Sequence, residues 1–152
     1  IKSNFAKLVF ILLFITNCGY SPIYTIVDNI NFRINIMEMN GVREVNNLIK
    51  SNFDSYSLKD SKKYYNIIVN SKYSKNIVAK DTTGAATEYK IILETNFKVN
   101  NENYSNEFKF KESINMQSMS NRLDEKNYEE NLRSSLVNII TQKLILQLSR
   151  VR

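Results

Sequence analysis

The chain has 152 residues, 21 Lys+Arg against 15 Asp+Glu, and 43% hydrophobic residues, so it is long enough and apolar enough for one packed domain. It has no His and no Trp, one Cys, one Pro and three Gly. That composition excludes a Ser-His-Asp triad, a His-ligated zinc, an intrachain disulfide and a Cys₄ metal site. Gly19, Gly41 and Gly84 lie too far apart for a phosphate-binding glycine loop. Asn occurs 22 times, Ile 18 and Lys 15 against 4 Ala. This is the pattern of A/T-rich coding, so surface Asn and Lys carry little information by number alone.

The N-terminus combines a positive region, Lys2 and Lys7, with an unbroken apolar run from Leu8 to Ile15. A secretory h-region spans roughly 7–15 residues, whereas a transmembrane helix needs about 20. The only cysteine, Cys18, follows three residues after this run. The placement resembles the lipobox of bacterial lipoproteins, in which cleavage leaves a Cys that is lipidated. Asn17 stands where Gly, Ala or Ser is usual. Residues 1–17 are therefore expected to be a lipoprotein signal peptide, Cys18 the lipidated residue and 18–27 a short leader. Each buried CH₂ contributes about 0.8 kcal/mol, so several acyl chains hold a domain on a membrane. Gly19, in place of the Asp that favours inner-membrane retention, points to the outer membrane.

Residues 28–152 read as a single α+β domain. Ile30, Phe32, Ile34 and Ile36 alternate with polar residues, as in a strand with one buried face. Asn40-Gly41 ends this strand, and Asn40 is placed to cap a helix whose stripe is Val42, Val45, Leu48, Ile49 and Phe53, with Asn46 on its polar side. A polar loop over 57–63 follows. Tyr64–Val69 predicts a second strand that can extend toward Val78. Asp81–Ala86 has turn composition. Tyr89, Ile91, Leu93, Thr95, Phe97 and Val99 alternate with charged residues, and Ile92 alone breaks the polar side. A turn over Asn100–Asn103 leads to Tyr104, Phe108, Phe110 and Ile114 on a fourth strand. Asn115–Asn121 is a polar joint. A helix from about Asp124 to Arg150 closes the chain, with Tyr128, Leu132, Leu136, Ile139, Ile140, Leu144 and Leu148 on its apolar stripe. At about 1.5 Å per residue it is near 40 Å long. The expected fold is a four-stranded, mostly antiparallel sheet with two α-helices packed on one face, in the order β-α-β-β-β-α.

Catalysis is not expected. Glu88 and Glu94 share a strand face but stand about 20 Å apart along it, and a glycosidase pair needs about 5–10 Å. Glu107 and Glu112 fall on opposite faces. No catalytic residue, metal ligand or cofactor is assigned. The basic excess and the tyrosines among the lysines suit nucleic acid in general. An exported lipoprotein does not ordinarily meet RNA, so an anionic partner outside the cytoplasm is favoured. Without residues 1–17, which carry Lys2 and Lys7 and no acid, 135 of the 152 residues remain, at +4 in place of +6.

The run Cys18-Gly19-Tyr20-Ser21-Pro22-Ile23-Tyr24 is similar to the Cys-Gly-aromatic-x-Pro-Leu-Tyr start of the lipopolysaccharide-assembly lipoprotein family LptE. Ala86-Thr87-Glu88-Tyr89 leading into a strand, and a closing helix with Leu144, Leu146 and Leu148, add to this resemblance. It covers nearly all of the chain after the signal and is to the alpha-proteobacterial form. The resemblance implies a non-enzymatic outer-membrane lipoprotein on the periplasmic face. Such a protein sits in the lumen of the LptD barrel, assists its assembly and binds lipopolysaccharide. Lys75, Lys80 and Lys90, around the turn after the second strand, are the expected lipopolysaccharide contacts. The alternative is an envelope lipoprotein serving as accessory subunit of a transporter or of a cell-wall synthase.

Overall fold

The computed structural model describes residues 31–57 and 61–151. The expected signal segment 1–17, Cys18, the leader 18–27 and Ile30 lie outside the described residues, as do 58–60 of the polar loop and Arg152. The elements are β1 (Phe32–Gly41), α1 (Arg43–Tyr56), β2 (Lys63–Lys80), β3 (Ala86–Asn100), β4 (Ser105–Gln117) and α2 (Arg122–Ser149). They form one four-stranded sheet in the order β1-β2-β3-β4. The architecture is the α+β arrangement expected, with a mixed sheet. β2–β3 and β3–β4 are antiparallel hairpins, and β1–β2 is parallel. Parallel pairing needs a crossover, and α1 supplies it by carrying the chain back to the end where β1 began.

Alternation fixes the faces. On β2 and β3 the odd positions Ile67, Val69, Ile91, Leu93 and Phe97 are buried. Register sets Phe97 opposite Phe108 and Thr95 opposite Phe110, so even positions of β4 join the same face. β1 ends at Gly41, as the Asn40-Gly41 pair leads one to expect. A bulge between Ile36 and Glu38 leaves Met37 66% exposed and returns Met39 to the core side, opposite Val69. A chain of edge-on aromatic contacts, Phe53 to Phe97 at 5.9 Å and Phe32 to Tyr65 at 5.3 Å between centroids, ties strands and α1 together.

The start of α1 differs from expectation. Asn40 does not cap it; its side-chain amide donates to Glu38 and Asn70 instead. The N-cap is Val42, which lacks a capping side chain, and its backbone N–H donates to Ser71 Oγ at 3.2 Å. The same hydroxyl donates to Asn46 Oδ1 at 2.7 Å. That bond explains why Asn46, expected on the polar side, is buried.

α2 begins two residues before its expected start, because Asn121 Oδ1 accepts from Leu123 N–H at 2.9 Å. β4 extends to Gln117, so the joint expected over Asn115–Asn121 shrinks to residues 118–121. The buried stripe is Leu132, Leu136, Val137, Ile140, Thr141, Leu144, Ile145 and Leu148. Tyr128 and Ile139, expected on it, are exposed. The polar Thr141 is accommodated because its hydroxyl donates to the Val137 carbonyl one turn back. No helix among the described residues is long and apolar enough to cross a membrane.

Gly41 has φ of +105°, and a Cβ there would stand 1.9 Å from the Ser71 carbonyl oxygen. Gly84, with φ of +86°, has nothing within 4 Å of such a Cβ. Gly84→Ala therefore carries only backbone strain, on the order of 1 kcal/mol. Gly41→Ala adds a backbone clash to that strain and is expected to cost at least about 3 kcal/mol. Urea unfolding of the two variants checks the ranking.

Candidate functional site

The structure does not gather the three expected lysines. Lys75 pairs across β2–β3 with Ile91 and so points to the helix side, whereas Lys90, next in the strand to Ile91, points to the other face. Lys80 is exposed at the tip of β2, opposite Ala86.

Lys75 is the centre of an ion-pair cluster that fastens α2 to the sheet. Its Nζ donates to Glu125 Oε1 at 2.9 Å and to Glu129 Oε2 at 3.0 Å, and stands 4.1 Å from the Tyr89 ring centroid. Glu129 also accepts from the Tyr73 hydroxyl at 2.7 Å and from Arg133 at 3.1 Å. The Arg133 guanidinium lies 4.6 Å from the Tyr73 ring centroid. Glu125 accepts in addition from the Met119 N–H and the Ser118 hydroxyl, which pins the β4–α2 joint.

Burial works against the charge on Glu129, yet the bonds from Tyr73 and Lys75 hold its carboxyl below the usual range. The Met119 N–H, then Lys75, lower Glu125. Burial and the bond to Glu129 push the Tyr73 phenol up, so it remains a donor at neutral pH. Sequence order hid this cluster, but strand parity could have found half of it. Tyr73 and Lys75 are odd positions on β2, in step with the buried Tyr65, Ile67 and Val69.

The opposite sheet face carries the remaining charge, and no described element covers it. Arg33, Lys72, Lys90, Lys98, Lys109 and Lys111 stand there with Glu38, Glu88, Glu94 and Glu107. Rows of amides cross the strands: Asn35 donates to Asn66 at 3.2 Å, Asn40 to Asn70 at 3.2 Å, and Asn96 to Glu107 at 2.7 Å. Lys111 pairs with Glu94 at 2.7 Å and Lys109 with Glu107 at 3.2 Å. The bond from Lys111 lowers Glu94, and the Asn96 amide, then Lys109, lower Glu107. Lys72, Lys80, Lys90 and Lys98 have no carboxylate within ion-pair distance among the described residues. Asn70, Lys72, Asn96 and Lys109 frame a shallow depression in which Asn96 Oδ1 is sealed from solvent without a donor. Such a face can pair with phosphates through its free lysines and with hydroxyls through its amides. Among the described residues no group of three His, Cys, Asp or Glu side chains is placed to hold a metal ion.

The fastening cluster predicts acid sensitivity. Glu125 and Glu129 have folded values below their unfolded ones, near 4.3 for glutamate. Their contribution is present above that value and lost as pH falls through the depressed folded values. Glu129→Gln is expected to cost about 1.5–3 kcal/mol at pH 7. The difference from the native chain should shrink steadily below about pH 4, as followed by urea unfolding at a series of pH values.

No protein-family model matches the chain, and no curated protein matches it. Solved structures do. Rare lipoprotein B from Shewanella oneidensis superposes with a TM-score of 0.56 at 15% identity, over 76% of this chain and 90% of that one. A minor lipoprotein from Acinetobacter baumannii gives 0.55 at 11% identity, over 79% and 93%. A lipoprotein from Caulobacter crescentus CB15 gives 0.52 at 10% identity, over 85% and 93%. At these identities the likeness is one of fold, shared with bacterial lipoproteins over 76–85% of this chain.

Proposed function

We propose that the chain is a non-catalytic, lipid-anchored envelope lipoprotein, held at the periplasmic face of the outer membrane through Cys18. In this reading it plugs an LptD-like barrel, assists the barrel's assembly and helps deliver lipopolysaccharide to the outer leaflet. The observation that carries the reading is the shared fold with lipoproteins over about nine-tenths of their length, joined to a sequence that places Cys18 directly behind an apolar run. A two-sided domain suits the task. The helix side is closed by its own core, and the open sheet face presents unpaired lysines to lipid phosphates. Lys80 and Lys90 are the contacts retained from sequence. Lys75, committed to Glu125 and Glu129, positions α2 and is left out of the contact set.

The test is purification of the native full-length chain from membranes. A large barrel protein should accompany it, with diacylglycerol on Cys18 by mass spectrometry. Recovery with an inner-membrane transporter or a cell-wall synthase would replace this reading by the accessory-subunit one. Cys18→Ser should move the chain to the soluble fraction. Lys80→Glu combined with Lys90→Glu should weaken lipopolysaccharide capture about tenfold, ~1.4 kcal/mol. Undiminished capture would remove these lysines from the contact.

A further inference from the structure

β2 outruns its neighbour. Its pairing with β1 ends at Gly41 opposite Ser71, while its pairing with β3 continues to Lys80. Among the described residues, Lys72–Lys80 are thus paired on one side only. No backbone or side-chain hydrogen bond from any other described residue reaches the outer backbone groups of this stretch. Outward N–H and C=O groups of a strand edge form a template for another strand. Ile77 and Val78, on the same stretch, are 52% and 53% exposed.

We infer that the free edge of β2 receives an extended segment of a partner protein in which acidic and apolar residues alternate, added as a fifth strand. The charges choose the occupant. Lys72–Lys80 holds three lysines and no acid. Lys75 is neutralised by Glu125 and Glu129, and Glu94, across from Lys72, is held by Lys111. Lys72 and Lys80 remain unpaired at the two ends of the edge, and exposed Ile77 and Val78 lie between them. A second copy fits badly, because a two-fold centred on Asn76 sets Lys72 against Lys80 at both ends. The register irregularities between Ile77 and Lys80 further discourage self-pairing. A strand with acids facing the two lysines and apolar residues facing Ile77 and Val78 meets neither objection. This inference needs neither the barrel nor lipopolysaccharide, and its test can fail while the preceding reading survives, or the reverse.

The experiment is amide hydrogen exchange on the full chain, alone and with a short synthetic peptide of alternating Glu and Val. A peptide of alternating Lys and Val is the control. In the chain alone, about every second amide from Lys72 to Lys80 should exchange fast. The acidic peptide should slow those amides at least about tenfold, and the basic peptide should leave them unchanged. Lys72→Glu with Lys80→Glu, both exposed and unpaired, should keep the native circular dichroism and reverse the peptide preference. Four results would overturn the inference: binding of the acidic peptide without amide protection, equal response to both peptides, unchanged preference in the folded double variant, or amides already protected in the chain alone. The last would assign the edge to the chain's own N-terminal segment, or to a second copy if protection rises with concentration.

Discussion

Gly41 and Ser71 approach so closely that no side chain fits between them, and this contact determines where β1 stops. The Ser71 carbonyl occupies the space of a Cβ on Gly41, and the Ser71 hydroxyl takes the Val42 N–H and binds Asn46. One residue of β2 therefore ends the neighbouring strand and starts the crossover helix. Three consequences follow. α1 is aimed back over the sheet, so Val45, Ile49 and Phe53 enter the core. β2 begins again beside β1 in parallel register. Beyond Ser71 no described element pairs with the second strand on that side, so among the described residues the sheet has a free edge there. The fold tolerates the edge because it is short, basic and irregular in register near its tip.

The overhanging end of β2 is held on its inner face by the first turns of α2. Individually exposed ion pairs contribute 0–1 kcal/mol, but this group is partly buried and chained. Glu129 accepts from Tyr73, Lys75 and Arg133 at once. A carboxylate with its acceptor positions filled from two elements fixes the distance between them, as a single surface pair cannot. In the C-terminal half of α2 one ion pair, Lys143 with Glu112, accompanies the buried Leu144, Ile145 and Leu148. The helix is thus anchored mainly by apolar burial at one end and by a chained ionic cluster at the other.

The order of elements and the two-faced sheet were legible in the sequence because they rest on local periods: alternation in β3, and three-and-four spacing in both helices. What was not legible depends on contacts between distant residues. Asn40 has the chemistry of a cap and stands next to a helix start, yet Ser71, thirty residues on in chain order, performs the task. Met37 interrupts the alternation of β1, and only the register with β2 shows a bulge there. The lysines were misgrouped for the same reason. Proximity to one turn placed Lys75 and Lys90 together, while pairing across β2–β3 puts them on opposite faces. Counting parity from Tyr65 along β2 would have separated Lys75 from the exposed set. Its carboxylate partners on α2 lie fifty residues or more away, and no local pattern announces them.

The basic excess acquires a direction from this arrangement. Three cations between the helices and the sheet are neutralised: Lys75 by Glu125 and Glu129, Arg133 by Glu129, and Lys143 by Glu112. Four sheet lysines without an ion-pair partner among the described residues, Lys72, Lys80, Lys90 and Lys98, lie on the open face or at the tip of β2. On the open face six cations stand with four glutamates, which leaves a positive surface at the part of the sheet that α1 and α2 do not cover. The positive open face and the basic edge of β2 meet along Lys72, so the two proposed binding modes would share a border. The face offers point charges and amides, which suit phosphates and sugar hydroxyls. The edge offers backbone groups, which only another polypeptide in extended form can satisfy. The protein partner and the anionic lipid proposed above would use adjacent but chemically distinct surfaces, and the end of β1 at Gly41 marks where the edge begins.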